Sequence, residues 1–378
     1  MGTPGMPSPA RTGANLIFAE VDVNKTEGPL MLVDTGSPFT LINTEDFPTM
    51  NFPDRAEIEV ALTFGAFTVE KVPALQISVL TDGSFSLPPI VGGNLTREFS
   101  TQLDYRGMQL RIGDGANPAG VEAGSMIDFD LEGGGVGSVD AQGMTFVMFP
   151  ATRISLNIDI EGTSHPVILD SGASDVALRK EVFDALVGDG RAQISGFQLS
   201  TASGLMEGRL SRARSIALGG ETVTNPVILS LADDALLDSL AHEIRHPVDG
   251  LLGGSFLREF LVTIDYPHHK VHLQRYVPPS PVPDEFKRVG IELRPMGDGF
   301  TVAKVYPGSD AAAKQLAAGD TIVSIEGHVL AGMDTISADV LLDGEVGTTK
   351  QIGVGAAAST AIANSVTAIR VDDLLPAP

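Results

Sequence analysis

Two stretches of this chain match one another over sixteen residues without a gap: IVGGNLTREFSTQLDY at 90–105 and LLGGSFLREFLVTIDY at 251–266. Gly92-Gly93 faces Gly253-Gly254, Arg97-Glu98-Phe99 faces Arg258-Glu259-Phe260, and Asp104-Tyr105 faces Asp265-Tyr266, always 161 positions apart. Repetition this specific marks a duplicated structural unit and limits the fold to architectures made of two like halves. Two further correspondences order the halves. Asp34-Thr35-Gly36-Ser37 follows an apolar run at 30–33, and Asp170-Ser171-Gly172-Ala173 follows one at 167–169, 136 positions on. Leu62-Thr63-Phe64-Gly65 corresponds to Ile216-Ala217-Leu218-Gly219, 154 positions on. The second half is therefore 18 residues longer between these points, and the surplus falls around 199–210.

The repeated elements are strands. Short or alternating apolar runs such as Val21-Asp22-Val23 and Ile158-Asp159-Ile160 have the period of strands rather than helices. With 43% hydrophobic residues, 19% charged and 42 glycines in 378 positions, the chain is expected to be folded, turn-rich and mainly β. A net charge of −23 disfavours nucleic acid and anionic membrane surfaces as partners. The absence of cysteine excludes disulfides and thiolate metal sites. No window approaches the apolar run of about 20 residues that spans a bilayer. The opening MGTPGMPSPARTG lacks the apolar core of a signal peptide. Export to the periplasm, cell envelope or medium is expected if such a signal has been removed. Residues 113–147, with Glu132-Gly133-Gly134-Gly135-Val136-Gly137, are expected to be turns joining the halves. Their glycines lack the strand before and helix after that a dinucleotide site requires.

Two Asp-Thr/Ser-Gly motifs, each entered by an apolar strand and followed later by two apolar residues and a glycine (Ile90-Val91-Gly92 and Leu251-Leu252-Gly253), resemble the pepsin and retropepsin superfamily. The resemblance covers about residues 14–275 and implies a bilobal acid-protease fold with pseudo-twofold symmetry. Asp34 and Asp170 would then form an aspartic peptidase dyad, and one chain would suffice for the active site. Two close carboxylates cannot both ionise cheaply, so they share a proton. The ionised member can activate a water while the protonated member assists the carbonyl oxygen and the leaving nitrogen. This chemistry needs no metal or other cofactor. Gly36 and Gly172 would allow tight turns, the Thr35 and Ser171 hydroxyls would bond across to the opposite loop, and the Ser37 hydroxyl would bond the outer oxygen of Asp34. Its counterpart Ala173 has no hydroxyl, so the two aspartates are expected to be unequal.

The surplus segment of the second half resembles the flap hairpin of that family, with Ser203, Gly204, Leu205 and Met206 at or near its tip. The first half has only residues 48–55 there, so the single flap would belong to the second lobe and lack a tyrosine, a departure from pepsin, whose flap belongs to the first lobe and carries one. His242-Glu243-Ile244-Arg245-His246 matches the H-E-x-x-H string of zinc peptidases. Pro247 should end the helix where a zinc peptidase continues it, and Glu259 as a third ligand has a repeat partner, Glu98, with no histidines nearby.

Val277-Pro278-Pro279-Ser280-Pro281-Val282-Pro283 is a stiff connector. Beyond it, Val289-Gly290-Ile291-Glu292-Leu293 and Gly319-Asp320-Thr321-Ile322-Val323-Ser324-Ile325-Glu326-Gly327 resemble bacterial PDZ domains, small β barrels with helices. The resemblance implies a groove for a peptide or protein C-terminus. Val289-Gly290-Ile291 would form the carboxylate-binding loop, with Arg288 assisting. The expected plan is a first lobe at 12–112, a connection at 113–147, a second lobe with flap at 148–276, a linker at 277–285 and a PDZ-like domain at 286–375. The leading expectation is an aspartic endopeptidase acting on polypeptides. The alternatives are a catalytically weak or inactive peptide-binding or scaffold protein and a zinc peptidase through His242, Glu243 and His246.

Overall fold

A computed structural model of the chain describes residues 7–13, 15–53, 55–77, 88–113, 124–138, 146–201, 204–278, 286–297, 299–355 and 365–378. It divides into two compact units, 1–281 with 377–378, and 282–376.

In the larger unit the first half runs β1 (Pro7–Gly13), β2 (Leu16–Val23), β3 (Thr26–Val33), β4 (Thr40–Ile42), β5 (Glu57–Phe64), β6 (Phe67–Gln76), β7 (Ile90–Val91), helix α1 (Gly93–Thr96), β8 (Ser100–Asp104) and β9 (Gln109–Gly113). The connection holds β10 (Ser125–Asp128), β11 (Asp130–Glu132), β12 (Gly135–Ser138) and β13 (Phe146–Phe149). The second half follows with β14 (Arg153–Ile160), β15 (Thr163–Leu169), β16 (Val176–Leu178), α2 (Lys180–Val187), β17 (Ile194–Thr201), β18 (Gly204–Arg212), β19 (Ser215–Leu218), β20 (Glu221–Thr224), β21 (Val227–Leu231), α3 (Ala235–Ile244), β22 (Gly250–Leu252), α4 (Gly254–Leu257), β23 (Phe260–Asp265) and β24 (Lys270–Arg275).

The halves are wired alike. β3 lies parallel to β7, with Leu32 beside Ile90, and β15 lies parallel to β22, with Ile168 beside Leu251. β4 and β16 each pair in parallel with a later strand, β6 and β21 respectively. Alternation puts Ile17, Ala19, Val21 and Val23 of β2 and Ile154, Leu156, Ile158 and Ile160 of β14 inside, as period-two patterning requires.

The repeat also locates the pseudo-twofold axis. β8 and β23 pair antiparallel across the halves, from Ser100 beside Asp265 to Asp104 beside Leu261. Residues 161 apart in sequence are symmetry mates, and only Gln102 and Thr263 are both mates and direct partners in this pair of strands. The Gln102 side-chain amide donates to Thr263 Oγ1 at 2.9 Å, so the axis passes between them.

The connection differs from the expectation of plain turns. β10 extends the shared sheet by pairing with β24, β11 pairs with β14, and β12 pairs with β13 as a separate two-stranded sheet. Glycines at 133–135 adopt positive φ, which turns the chain between the second and third of these strands.

The smaller unit contains β25 (Lys287–Val289), β26 (Ile291–Met296), β27 (Gly299–Val305), α5 (Asp310–Ala313), β28 (Thr321–Ile325), β29 (His328–Val329), α6 (Thr335–Val340), β30 (Thr349–Gly355) and β31 (Ser365–Asp373). Its sheet runs β25-β31-β30-β28-β27-β26 around a core that includes Val289, Ile291, Phe300, Ile322, Leu342 and Ile369. Helix α6 packs beside β26.

Candidate active site

Strands β3 and β15 each deliver an aspartate at their C-terminal end, and the two ends meet. A Cβ placed on Gly36 would stand 2.4 Å from the Asp170 carboxylate, and one on Gly172 would stand 2.3 Å from that of Asp34. Each carboxylate therefore rests on the backbone of the opposite loop, at a position that admits only glycine.

The loops are tied to one another through buried hydroxyls. Thr35 Oγ1 donates to the Leu169 carbonyl at 3.1 Å and accepts from the Ser171 amide at 3.0 Å. In mirror fashion Ser171 Oγ donates to the Val33 carbonyl at 2.7 Å and accepts from the Thr35 amide at 3.1 Å. Both residues are fully buried, so these four bonds act free of water's competition. They fix the separation of the aspartates. Within each loop a backbone amide reaches its own carboxylate: Gly36 to Asp34 Oδ1 at 2.8 Å and Gly172 to Asp170 Oδ1 at 2.9 Å.

Ser37 departs from its expected role. Its hydroxyl donates to the Phe39 carbonyl at 2.8 Å, and its backbone amide, at 2.9 Å, supplies the second bond to Asp34 Oδ1. A backbone amide does not depend on side-chain identity, so Ala173 in the other loop removes no hydroxyl contact from the dyad.

Burial raises the Asp34 carboxyl well above the ordinary carboxylate range, and the neighbouring Asp170 raises it further. Asp170 is also raised by burial, but the hydrogen bond from Asp34 opposes the shift. Both carboxyls are thus raised, and the two titrate as a pair that shares one proton.

One group beside the dyad was not singled out in the sequence. β14 and β15 pair Ile154 with Leu169, and one further step of that register sets Arg153 across from Asp170. The same step in the first half sets Leu16 across from Asp34, because Phe18 pairs with Leu32. Arg153 lowers both dyad carboxyls through its charge. Its guanidinium is gripped by Glu243 of α3, through Nε at 3.1 Å and Nη2 at 3.0 Å. The available signal was an arginine opening the apolar strand RISLNIDI where the first half opens with leucine.

This pairing accounts for the H-E-x-x-H string. Helix α3 ends at Ile244, and Arg245 caps it in the left-handed conformation, so His246 lies beyond the helix. His246 Nε2 stands 3.4 Å from Glu132, while Glu243 is occupied by Arg153. The two histidines and the glutamate thus do not converge. Among the described residues no three His, Cys, Asp or Glu side chains form a metal-binding group.

The surplus segment of the second half is a hairpin: β17 and β18 pair from Ile194 with Leu210 to Thr201 with Gly204. In that ladder Leu205 stands beside Ser200, and Met206 beside Leu199. Ser203 lies outside the described residues. Residues 48–50 of the first half form a turn and a bend instead, and 51–53 no regular element.

In the smaller unit the assignment to Arg288 is corrected. Its buried guanidinium donates to Asp339 through Nη1 at 3.2 Å and lies 3.7 Å from Asp343. An arginine already paired with two carboxylates is a structural clamp, not a free anion receptor. The Val289 amide is likewise occupied, donating to Leu342 at 2.9 Å, and the Gly290 carbonyl accepts from Tyr306 at 3.0 Å. Ile291 is buried and opens β26.

Residues 156–256 match the family model for aspartyl protease, and residues 282–350 match that for the PDZ domain. The chain carries a retropepsin-like aspartyl protease fold followed by a PDZ domain. Solved structures similar to it include the aspartic proteinase from Irpex lacteus, 15% identical with a TM-score of 0.46, covering 71% of this chain and 97% of that one. A retropepsin-like aspartic protease from Rickettsia conorii is 21% identical with a TM-score of 0.25, covering 37% of this chain and 98% of that one. The PDZ domain of the carboxy-terminal protease from Vibrio cholerae, solved in complex with peptide, is 26% identical with a TM-score of 0.20, covering 22% and 92%. No curated protein matches the sequence. No helix among the described residues is long and apolar enough to cross a membrane.

Proposed function

We propose that the chain is an aspartic endopeptidase that hydrolyses peptide bonds through Asp34 and Asp170. The observation that carries this reading is the mutual seating of each carboxylate on the opposite loop's glycine, held by the reciprocal bonds of Thr35 and Ser171. In this mechanism the ionised member of the pair takes a proton from a water held between the carboxylates as that water attacks the peptide carbonyl. The protonated member donates to the developing oxyanion, and a proton then passes to the leaving nitrogen as the C–N bond breaks. The β17–β18 hairpin covers the second-lobe side of a bound peptide. The PDZ domain takes a peptide as an added strand along β26, opposite α6, and so recruits a substrate or partner through an extended terminus.

The test is cleavage of a mixed peptide library by the wild type, Asp34→Asn and Asp170→Asn, with and without a pepstatin-type inhibitor or a chelator. Loss of cleavage in both variants with indifference to chelator is the expected result. Chelator-sensitive cleavage that survives both substitutions would overturn the reading. Peptide binding without turnover in the wild type would make the chain a scaffold.

A further inference from the structure

Arg153 opens β14 one register step from Asp170 and is only 7% exposed, so a cation is held out of water beside the two carboxylates. A buried guanidinium needs a counter-charge, because desolvation leaves it costly without one. Two anionic partners compete for it: the dyad, which feels its charge, and Glu243, which takes two of its donors. The two-pronged pair is the strongest an arginine makes with a carboxylate. Its surroundings are built to hold it. Gly133, at φ +82°, passes so close that a Cβ there would stand 2.6 Å from Glu243 Oε1 and 3.1 Å from Arg153 Cγ. Just ahead of Arg153, Arg97 of the first half donates from Nη1 to the Ala151 carbonyl at 3.1 Å, and a Cβ on Gly93 would stand 2.6 Å from Thr152 Cβ. The first half thus fixes the backbone that leads into the arginine, and α3 fixes its head.

The charged and titratable groups that face Arg153 come from several elements. Glu243 lies on α3, Glu132 is its cross-strand partner on β11, Asp170 and Asp34 follow β15 and β3, and Tyr266 follows β23. Glu132 has its own neighbour in His246, at 3.4 Å. Burial holds the Tyr266 phenol above its ordinary value, so it stays neutral while the aspartates titrate. Beside Glu243 in the chain, His242 and Arg245 are exposed to solvent, where water screens them. Among the described residues only Glu243 hydrogen-bonds the guanidinium. The first half has Leu16 at the equivalent place, so the dyad meets this charge from one side alone.

We propose that Glu243 is a positioning residue for the dyad: by gripping the Arg153 guanidinium with both carboxylate oxygens, it keeps that charge from closing on the aspartates as a direct ion pair. Held at its present place, Arg153 lowers both dyad carboxyls through space and leaves them free to share a proton. Released, it would pair with one aspartate and hold it ionised, which moves the range of proton sharing to lower pH. The glutamate of the H-E-x-x-H string therefore acts on the dyad through an arginine, not on a metal. This inference rests on the peptide-cleaving reading and names what sets the working pH of that site.

The experiment records kcat/KM against pH for the wild type, Glu243→Gln, Glu243→Asp, Arg153→Leu and the double variant Arg153→Leu with Glu243→Gln. In the same proteins the Asp34 and Asp170 carboxyl carbons are titrated by carbon-13 NMR, assigned by difference with Asp34→Asn and Asp170→Asn. Glutamine keeps the volume of glutamate but presents N–H where one acceptor oxygen stood, so one prong of the grip is lost. Glu243→Gln should move both limbs of the profile, and the carboxyl titration with them, down by about one pH unit. Glu243→Asp, with its charge on a shorter stem, should move them the same way by less. In the Arg153→Leu background Glu243→Gln should move nothing, since no arginine is left to hold. Absence of a downward movement in whichever Glu243 variants fold would overturn the proposal. So would an equal movement with and without Arg153, the signature of a carboxylate acting directly on the dyad. The NMR arm separates this inference from the reading beneath it. The expected titration shift in a chain without turnover sustains the role of Glu243 and removes the hydrolysis. Cleavage that depends on both aspartates, with an unmoved titration in Glu243→Gln, keeps the hydrolysis and removes the role.

Discussion

Replacing Thr35 by alanine should destabilise the peptidase unit far more than replacing it by serine. Thr35 is fully buried, and its hydroxyl both accepts from the Ser171 amide and donates to the Leu169 carbonyl. Thr35→Ala leaves the Ser171 amide buried without that partner, at a cost of about 1–3 kcal/mol, and weakens the Leu169 carbonyl by a further fraction. With the lost methyl the total is about 2–4 kcal/mol. Thr35→Ser keeps both bonds and loses only that methyl, about 1 kcal/mol. Because the two units need not unfold together, the assay is urea unfolding followed by near-ultraviolet tyrosine ellipticity. Tyr105, Tyr266 and Tyr276 belong to the larger unit, and Tyr306 alone belongs to the PDZ domain. kcat measured alongside should fall in Thr35→Ala through loosened dyad geometry and persist in Thr35→Ser. Equal destabilisation by the two substitutions, or a cost below 1 kcal/mol for alanine, would refute the argument that the hydroxyl bridge holds the loops.

Asp34→Asn should stabilise the fold at neutral and higher pH while abolishing cleavage. The Asp34 carboxyl is raised above the ordinary value of 3.8, so its burial is tolerated below that pH and becomes a penalty as pH rises through the raised value. Thermal melts across pH should therefore show no difference at the acid end and a growing advantage for the variant above it. Arg153→Leu, which copies Leu16, should move the acid limb of the kcat/KM profile to higher pH, since it removes a charge that lowers both dyad carboxyls. An unmoved profile would separate Arg153 from the dyad. Arg288→Ala should cost the PDZ domain about 3–5 kcal/mol by leaving Asp339 and Asp343 without their buried cation. A variant that stays folded and loses only affinity for C-terminal peptides would restore Arg288 to the groove.

The sequence by itself determined the duplication, the strand period and the pairing of the two Asp-Thr/Ser-Gly loops, because repeats and hydrophobic alternation are local signals carried by neighbouring residues. The family resemblance those loops carry also implied the bonds of the Thr35 and Ser171 hydroxyls to the opposite loop, which are present. The surplus hairpin at β17–β18 was legible for the same reason: it is an insertion measured against its own repeat. What only the tertiary structure decided depends on residues far apart in the chain. Arg153 meets Glu243 across 90 positions, and that contact turns a zinc-like string into the clamp of an arginine beside the dyad. Ser37 turned to Phe39 because a backbone amide already served Asp34, a competition that composition does not reveal. Val147 lies in a glycine-rich connection that predicts turns. It is buried with Leu32 and Ile90 in one apolar cluster, a contact between segments far apart in the chain.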